Sequence, residues 1–80
     1  MHRAKQNPGL ELLQTVTDAT ALQKAAGSAP PFGPAFDPAI VQEADRMEVW
    51  GTTEAAREDY TEFRLLKGSQ IIGVARIPGY

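Results

Sequence analysis

Apolar residues in the first third of the chain recur at helical spacing. Leu12, Val16, Ala19, Leu22 and Ala26 form one stripe, and Leu13 and Ala25 widen it. Asn7 is a favoured cap residue and Pro8 suits the first helical position. Glu11 and Lys24 stand near the ends of the helix dipole that favour their charges. Gly27 is a stop residue, and Pro30 follows it. The spacing predicts a long helix over 8–26, after a disordered polar tail at 1–6. Thr15-Val16-Thr17-Asp18 has poor helix propensity. The competing reading is a strand at 10–16 followed by a short helix from 18.

Residues 27–36 break the periodicity with three prolines, which exclude a regular ladder. Phe32 and Phe36 are expected to pin this linker onto the core. The Pro-Pro pair beside Phe32 also matches a peptide that docks in an aromatic-lined groove, but no second such motif accompanies it. Asp37-Pro38 repeats the cap-then-proline signal, and Ile40, Val41 and Ala44 give a short helix over 38–45. Met47-Glu48-Val49-Trp50 then alternates as a strand does. Residues 51–58 read as a polar loop.

The final third alternates most clearly. Gly68-Ser69 between Leu65-Leu66-Lys67 and Gln70-Ile71-Ile72 is the signature of a type II′ hairpin turn. Strict alternation from that turn sets Leu65 opposite Ile72, Phe63 opposite Val74 and Thr61 opposite Arg76. One face then carries Thr61, Phe63, Leu65, Ile72, Val74 and Arg76, and the helices are expected to cover it, with Met47 and Val49. The other face carries Tyr60, Glu62, Arg64, Leu66, Ile71, Gly73, Ala75 and Ile77, with Trp50 on it or at its rim. Gly73 opposite Arg64 would leave room for a flat guanidinium. Tyr80, just past Pro78, is expected to fold back on the sheet or to anchor a partner.

These elements predict an α+β fold in the order ααβββ: a long helix, a short helix and a three-stranded antiparallel meander. Eighty residues suit one small domain over 7–80. A chain of this size buries roughly 60% of the surface its unfolded form exposes. It has no cysteine, so neither a disulfide nor a thiolate metal site adds stability. Self-association is the remaining common route to further burial. No apolar run approaches the ~20 residues of a membrane span, and the first residues lack the features of a signal peptide. The expectation is a cytoplasmic protein that does not bind membrane.

Net charge is −2 and the pI about 5.2. Acids outnumber bases eight to two between Asp37 and Glu62. That reads as a solvated face, or as a patch for a basic partner.

Candidate chemistry is sparse. His2 is the one histidine, and a metal site needs several converging ligands. Ser28 and Ser69 are turn residues without a neighbouring base. Glu58, Asp59 and Glu62 sit at a strand start rather than in a cleft that would shift their pKa values. The expectation is no enzyme, no catalytic residue, no cofactor and no metal.

The residues on the second sheet face are better suited to binding. Trp50, Tyr60, Glu62, Arg64, Leu66, Ile71, Ile77 and Tyr80 form a candidate interaction face, because a sheet covered on one side often uses the other as an interface. The sequence does not determine the function. The expected one is a small protein-interaction or self-associating module, a homo-oligomer, that uses this face or an edge strand. The alternative is a nucleic-acid-associated accessory protein, for which Trp50, Tyr60, Arg64 and Arg76 are suitable residue types. Against it stand the interleaved acids and the expected placement of Arg64 and Arg76 on opposite faces.

Overall fold

A computed structural model of the chain describes residues 9–53 and 58–78. The polar tail, the Asn7-Pro8 cap, residues 54–57 of the loop and Tyr80 lie outside them. Four strands form one antiparallel sheet: β1 (Leu10–Val16), β2 (Arg46–Thr52), β3 (Tyr60–Lys67) and β4 (Gln70–Pro78). They lie side by side in chain order. Two short helices, α1 (Ala19–Gly27) and α2 (Pro38–Glu43), are inserted between β1 and β2. The order is therefore βααβββ, and the expected long helix over 8–26 with its ααβββ order is corrected.

The correction has a local and a tertiary cause. Locally, Thr15, Val16 and Thr17 favour extended backbone, and Asp18 makes a better helix start than interior. Its carboxylate accepts the Ala21 N–H at 2.9 Å, satisfying a donor that the first helical turn leaves open. At the tertiary level, pairing with β2 satisfies the extended backbone of residues 10–16. The helix that remains runs through Gly27, and the Ser28 hydroxyl donates to the Lys24 carbonyl at 2.7 Å. Asp37 caps α2 as its sequence predicts, accepting the Ala39 N–H at 2.9 Å.

Both helices lie on one face of the sheet. Leu22 and Ala26 of α1, Val41 of α2, and Met47, Phe63, Leu65 and Ile77 of the strands make the core. Phe36 joins them, its ring lying 3.3 Å from where a β-carbon on Gly73 would stand. Phe32 does not, being 81% exposed. The expected pinning of the linker by both aromatics thus holds for Phe36 alone. The linker itself folds back tightly: the Ala35 N–H donates to the Ser28 carbonyl and the Phe36 N–H to that of Ala26, each at 2.8 Å. Phe32→Ser should therefore leave stability within ~0.5 kcal/mol of the parent, and Phe36→Ala should cost about 2 kcal/mol. Urea unfolding of the two variants checks the contrast.

The Gly68-Ser69 turn is as predicted. Gly68 has φ 62°, and Ser69 is not among the described residues with positive φ, the combination of a type II′ turn. Asp45 and Arg46 brace it. The Gly68 N–H donates to the Asp45 carboxylate at 2.6 Å, and Arg46 donates to the Gly68 carbonyl at 3.0 Å. Lys67 pairs with Gln70 and Leu66 with Ile71, but Leu65 pairs with Gly73 rather than Ile72. Ile72 is an extra residue, a β-bulge, and every pairing beyond it moves by one. Phe63 faces Ala75, Arg64 faces Val74, Glu62 faces Arg76 and Thr61 faces Ile77.

Because side chains alternate with period two, this single residue exchanges the two faces of the rest of β4. Gly73, Ala75 and Ile77 turn to the helices, whereas Val74 and Arg76 turn away. The physical reason lies in Arg76 and Ile77. Strict alternation would bury an arginine among Phe63, Leu65 and Met47 without a partner, which is costly. It would also expose an isoleucine whose burial contributes ~1.5–3 kcal/mol. A second irregularity, between Leu12 and Gln14 of β1, sets Leu13 against Gly51. There the Leu13 side chain packs over Gly51 and comes within 2.7 Å of where a β-carbon would stand, so any larger residue at 51 would require Leu13 to move.

Candidate functional site: the uncovered sheet face

The face without helices is built in rows across the strands. Leu12, Trp50, Glu62 and Arg76 form one row, and Thr15, Glu48, Arg64 and Val74 the next. Arg46, Leu66 and Ile71 form a third beside the hairpin turn. At the centre is Glu62, only 4% exposed although no helix covers it. Its own neighbours shield it. One carboxylate oxygen accepts from Arg64 Nε, and the other accepts from Arg76 Nε at 2.8 Å.

Each arginine lies over an aromatic ring. The Arg64 guanidinium carbon is 4.4 Å from the centre of the Trp50 ring, and that of Arg76 is 4.9 Å from the centre of the Tyr60 ring. Such cation–π stacking holds the flat guanidinium against the sheet. Trp50 Nε1–H in turn donates to Glu48 at 3.0 Å, and Glu48 pairs with Arg46 at 3.7 Å. Two carboxylates, three guanidiniums and two rings thus form a continuous layer.

Electrostatics keep Glu62 ionised. Burial is the largest single influence and pushes its carboxyl up, but the hydrogen bonds and charges of Arg64 and Arg76 together outweigh it. The net result lies below the ordinary value of 4.5. The same bond to Glu62 raises Arg76 further. This is a charge-pairing site, with each Glu62 oxygen already engaged. Among the described residues no three His, Cys, Asp or Glu side chains converge as metal ligands do, and no helix is long and apolar enough to cross a membrane.

Of the expected interaction residues, the structure brings together Trp50, Tyr60, Glu62, Arg64, Leu66 and Ile71. Leu66 is buried between Arg46 and Ile71, while Ile71 is exposed. Ile77 is corrected: the bulge at Ile72 puts it in the helix-covered core at 8% exposure. An Ile77→Glu change would therefore test folding rather than association. Tyr80 lies outside the described residues. Gly73 does not make room beside Arg64, since it faces Leu65 under Phe36.

Sequence reasoning missed Arg76, Val74 and Leu12 on this face. The signal for Arg76 was present, because an arginine assigned to a core position without a carboxylate is a conflict that an extra residue resolves.

No protein-family model matches the chain, and no curated protein or solved structure matches it at significance.

Proposed function

We propose that this protein is a non-enzymatic interaction module whose uncovered sheet face binds a protein partner. The observation that carries this reading is the composition of that face. Trp50, Tyr60, Arg64 and Arg76 are gathered there, and exposed Leu12, Ile71 and Val74 flank them. Aromatic residues and arginine are the side chains most enriched in protein interfaces. The carboxylate at the centre is paired and ionised, a state suited to recognition rather than proton transfer.

Two further forms of the reading are ordered by the same geometry. Edge-strand pairing is the weaker, because both edge strands carry an irregularity, between Leu12 and Gln14 and at Ile72. Bulges of this kind discourage addition of another strand. Nucleic-acid binding gains one argument, since Arg64 and Arg76 share a face after all. Glu48 and Glu62 still interrupt it.

The test pairs solution mass with partner retention. Val74→Glu and Ile71→Glu should abolish either concentration-dependent self-association in light scattering or retention of a partner from cell lysate. Lys24→Glu, on the helix layer, should preserve whichever is seen. If the sheet-face variants change neither solution mass nor retained partners, the reading fails.

A further inference from the structure

We infer that the uncovered face takes an acidic peptide segment of its partner, with Arg64 and Arg76 receiving a carboxylate and Leu12, Ile71 and Val74 receiving apolar neighbours. This rests on the proposed use of the face for protein binding. It adds the chemistry of what is bound.

Charge is the first argument. The whole chain is at −2, yet this face sets Arg46, Arg64 and Arg76 against Glu48 and Glu62. Glu58 adds a weaker negative influence on Arg76, so the excess positive charge is local: two guanidiniums share the single carboxylate of Glu62, and their outer ends favour an anionic group.

Donor accounting is the second. A guanidinium has five N–H donors. Arg64 and Arg76 each engage Glu62 through Nε, and among the described residues their terminal nitrogens donate to no protein group. Both Glu62 oxygens are already bonded. One further carboxylate would therefore meet two arginines with donors available, in charge-assisted hydrogen bonds stronger than neutral ones.

Preorganisation is the third. Trp50 and Tyr60 lie under the guanidiniums and Glu62 holds each Nε, so part of the ordering cost of the two arginines is already met before binding. The bulge at Ile72 is what places Val74 beside Arg64 and Arg76 across from Glu62.

A carboxylate segment fits better than a nucleic acid. Each ring is already covered by a guanidinium, which leaves it poorly placed to stack a base. Glu48 and Glu62 would repel a continuous row of phosphates, whereas isolated carboxylates separated by apolar side chains can avoid them.

Trp50 is the only tryptophan, so its emission reports directly on this face. The probes are a synthetic peptide of alternating leucine and aspartate, the same peptide with asparagine for aspartate, and oligo-dT. The aspartate peptide should shift Trp50 emission saturably, and the asparagine peptide should bind on the order of ten-fold more weakly. Arg76→Gln should weaken the aspartate peptide by a similar factor, and Lys24→Gln should not. Circular dichroism of each variant establishes that it is folded.

Equal binding of the two peptides would overturn the carboxylate role. So would preferential binding of oligo-dT, or no saturable shift with the aspartate peptide. If Val74→Glu still strips a partner in those cases, the face remains the binding surface and only the acidic-segment inference is lost. If Val74→Glu is also silent, both fall.

Discussion

Replacing Phe63 with alanine is expected to remove about 3–5 kcal/mol of stability, through lost apolar burial and the cavity left behind. Phe63 lies on the central strand β3, between Val49 and Ala75, and is buried in the cluster formed with Leu22, Ala26, Val41, Met47 and Leu65. Small domains retain in total only roughly 0.05–0.15 kcal/mol per residue, so one such change brings an eighty-residue chain near its unfolding midpoint. Urea or thermal unfolding is the measurement. A Phe63→Ala protein with an unchanged midpoint would show that the helices do not pack on this face. The more conservative Phe63→Leu should be much milder, which separates a packing effect from general intolerance at the site.

Glu62→Gln is expected to cost about 1–3 kcal/mol at neutral pH. Breaking a fully buried ion pair costs more. Here the Arg76 side chain is 60% exposed, and solvent screens its share. The amide keeps the shape of the carboxylate but leaves two positive guanidiniums on one neutral group. The pH dependence identifies the cause. Because the Glu62 carboxyl is lower in the folded than in the unfolded protein, its stabilisation is fully present above the ordinary value of 4.5. On acidification the unfolded chain takes up its proton first. The contribution then fades as pH falls through the lower folded value. The stability difference between the parent and Glu62→Gln should accordingly be level at neutral pH and shrink in the acid range. A difference that stayed constant through acid would mean that the glutamate acts by shape rather than charge.

Much of the second half of the chain was legible because its signals are local. A glycine followed by a small polar residue specifies the hairpin turn at Gly68-Ser69 through backbone geometry alone. Asp37 before Pro38 specifies the start of α2 through one side-chain acceptor and one fixed φ. Alternation in Tyr60–Lys67 placed Phe63 and Leu65 on the helix side and Tyr60, Glu62 and Arg64 on the other, and alternation over residues 47–50 placed Trp50 on that second face or at its rim.

The first strand was ambiguous for a reason inherent in the pattern. Apolar residues four apart, such as Leu12 and Val16, satisfy a helical stripe and an even strand spacing equally well. Capping and propensity differ between those states by only about a kcal/mol per residue or less. Pairing with β2 decided between them, and that partner lies some thirty-five residues away in sequence.

The binding face shows the same division more sharply. Residue types told which side chains are fit to form an arginine-and-aromatic layer, and local alternation told that Glu62 and Arg64 point together. Whether Arg76 joins them or is buried depended on one extra residue at Ile72, and no local preference marks that position. Packing decided it. The helices supply an apolar layer that accepts Ile77 and rejects an unpaired guanidinium, and Gly73 lets the Phe36 ring lie close against β4, where a β-carbon would stand only 3.3 Å from it. Turns, caps and alternation are properties of neighbouring residues and can be read one segment at a time. A bulge is the compromise between two segments that must share one core, so it takes form only once both are in place.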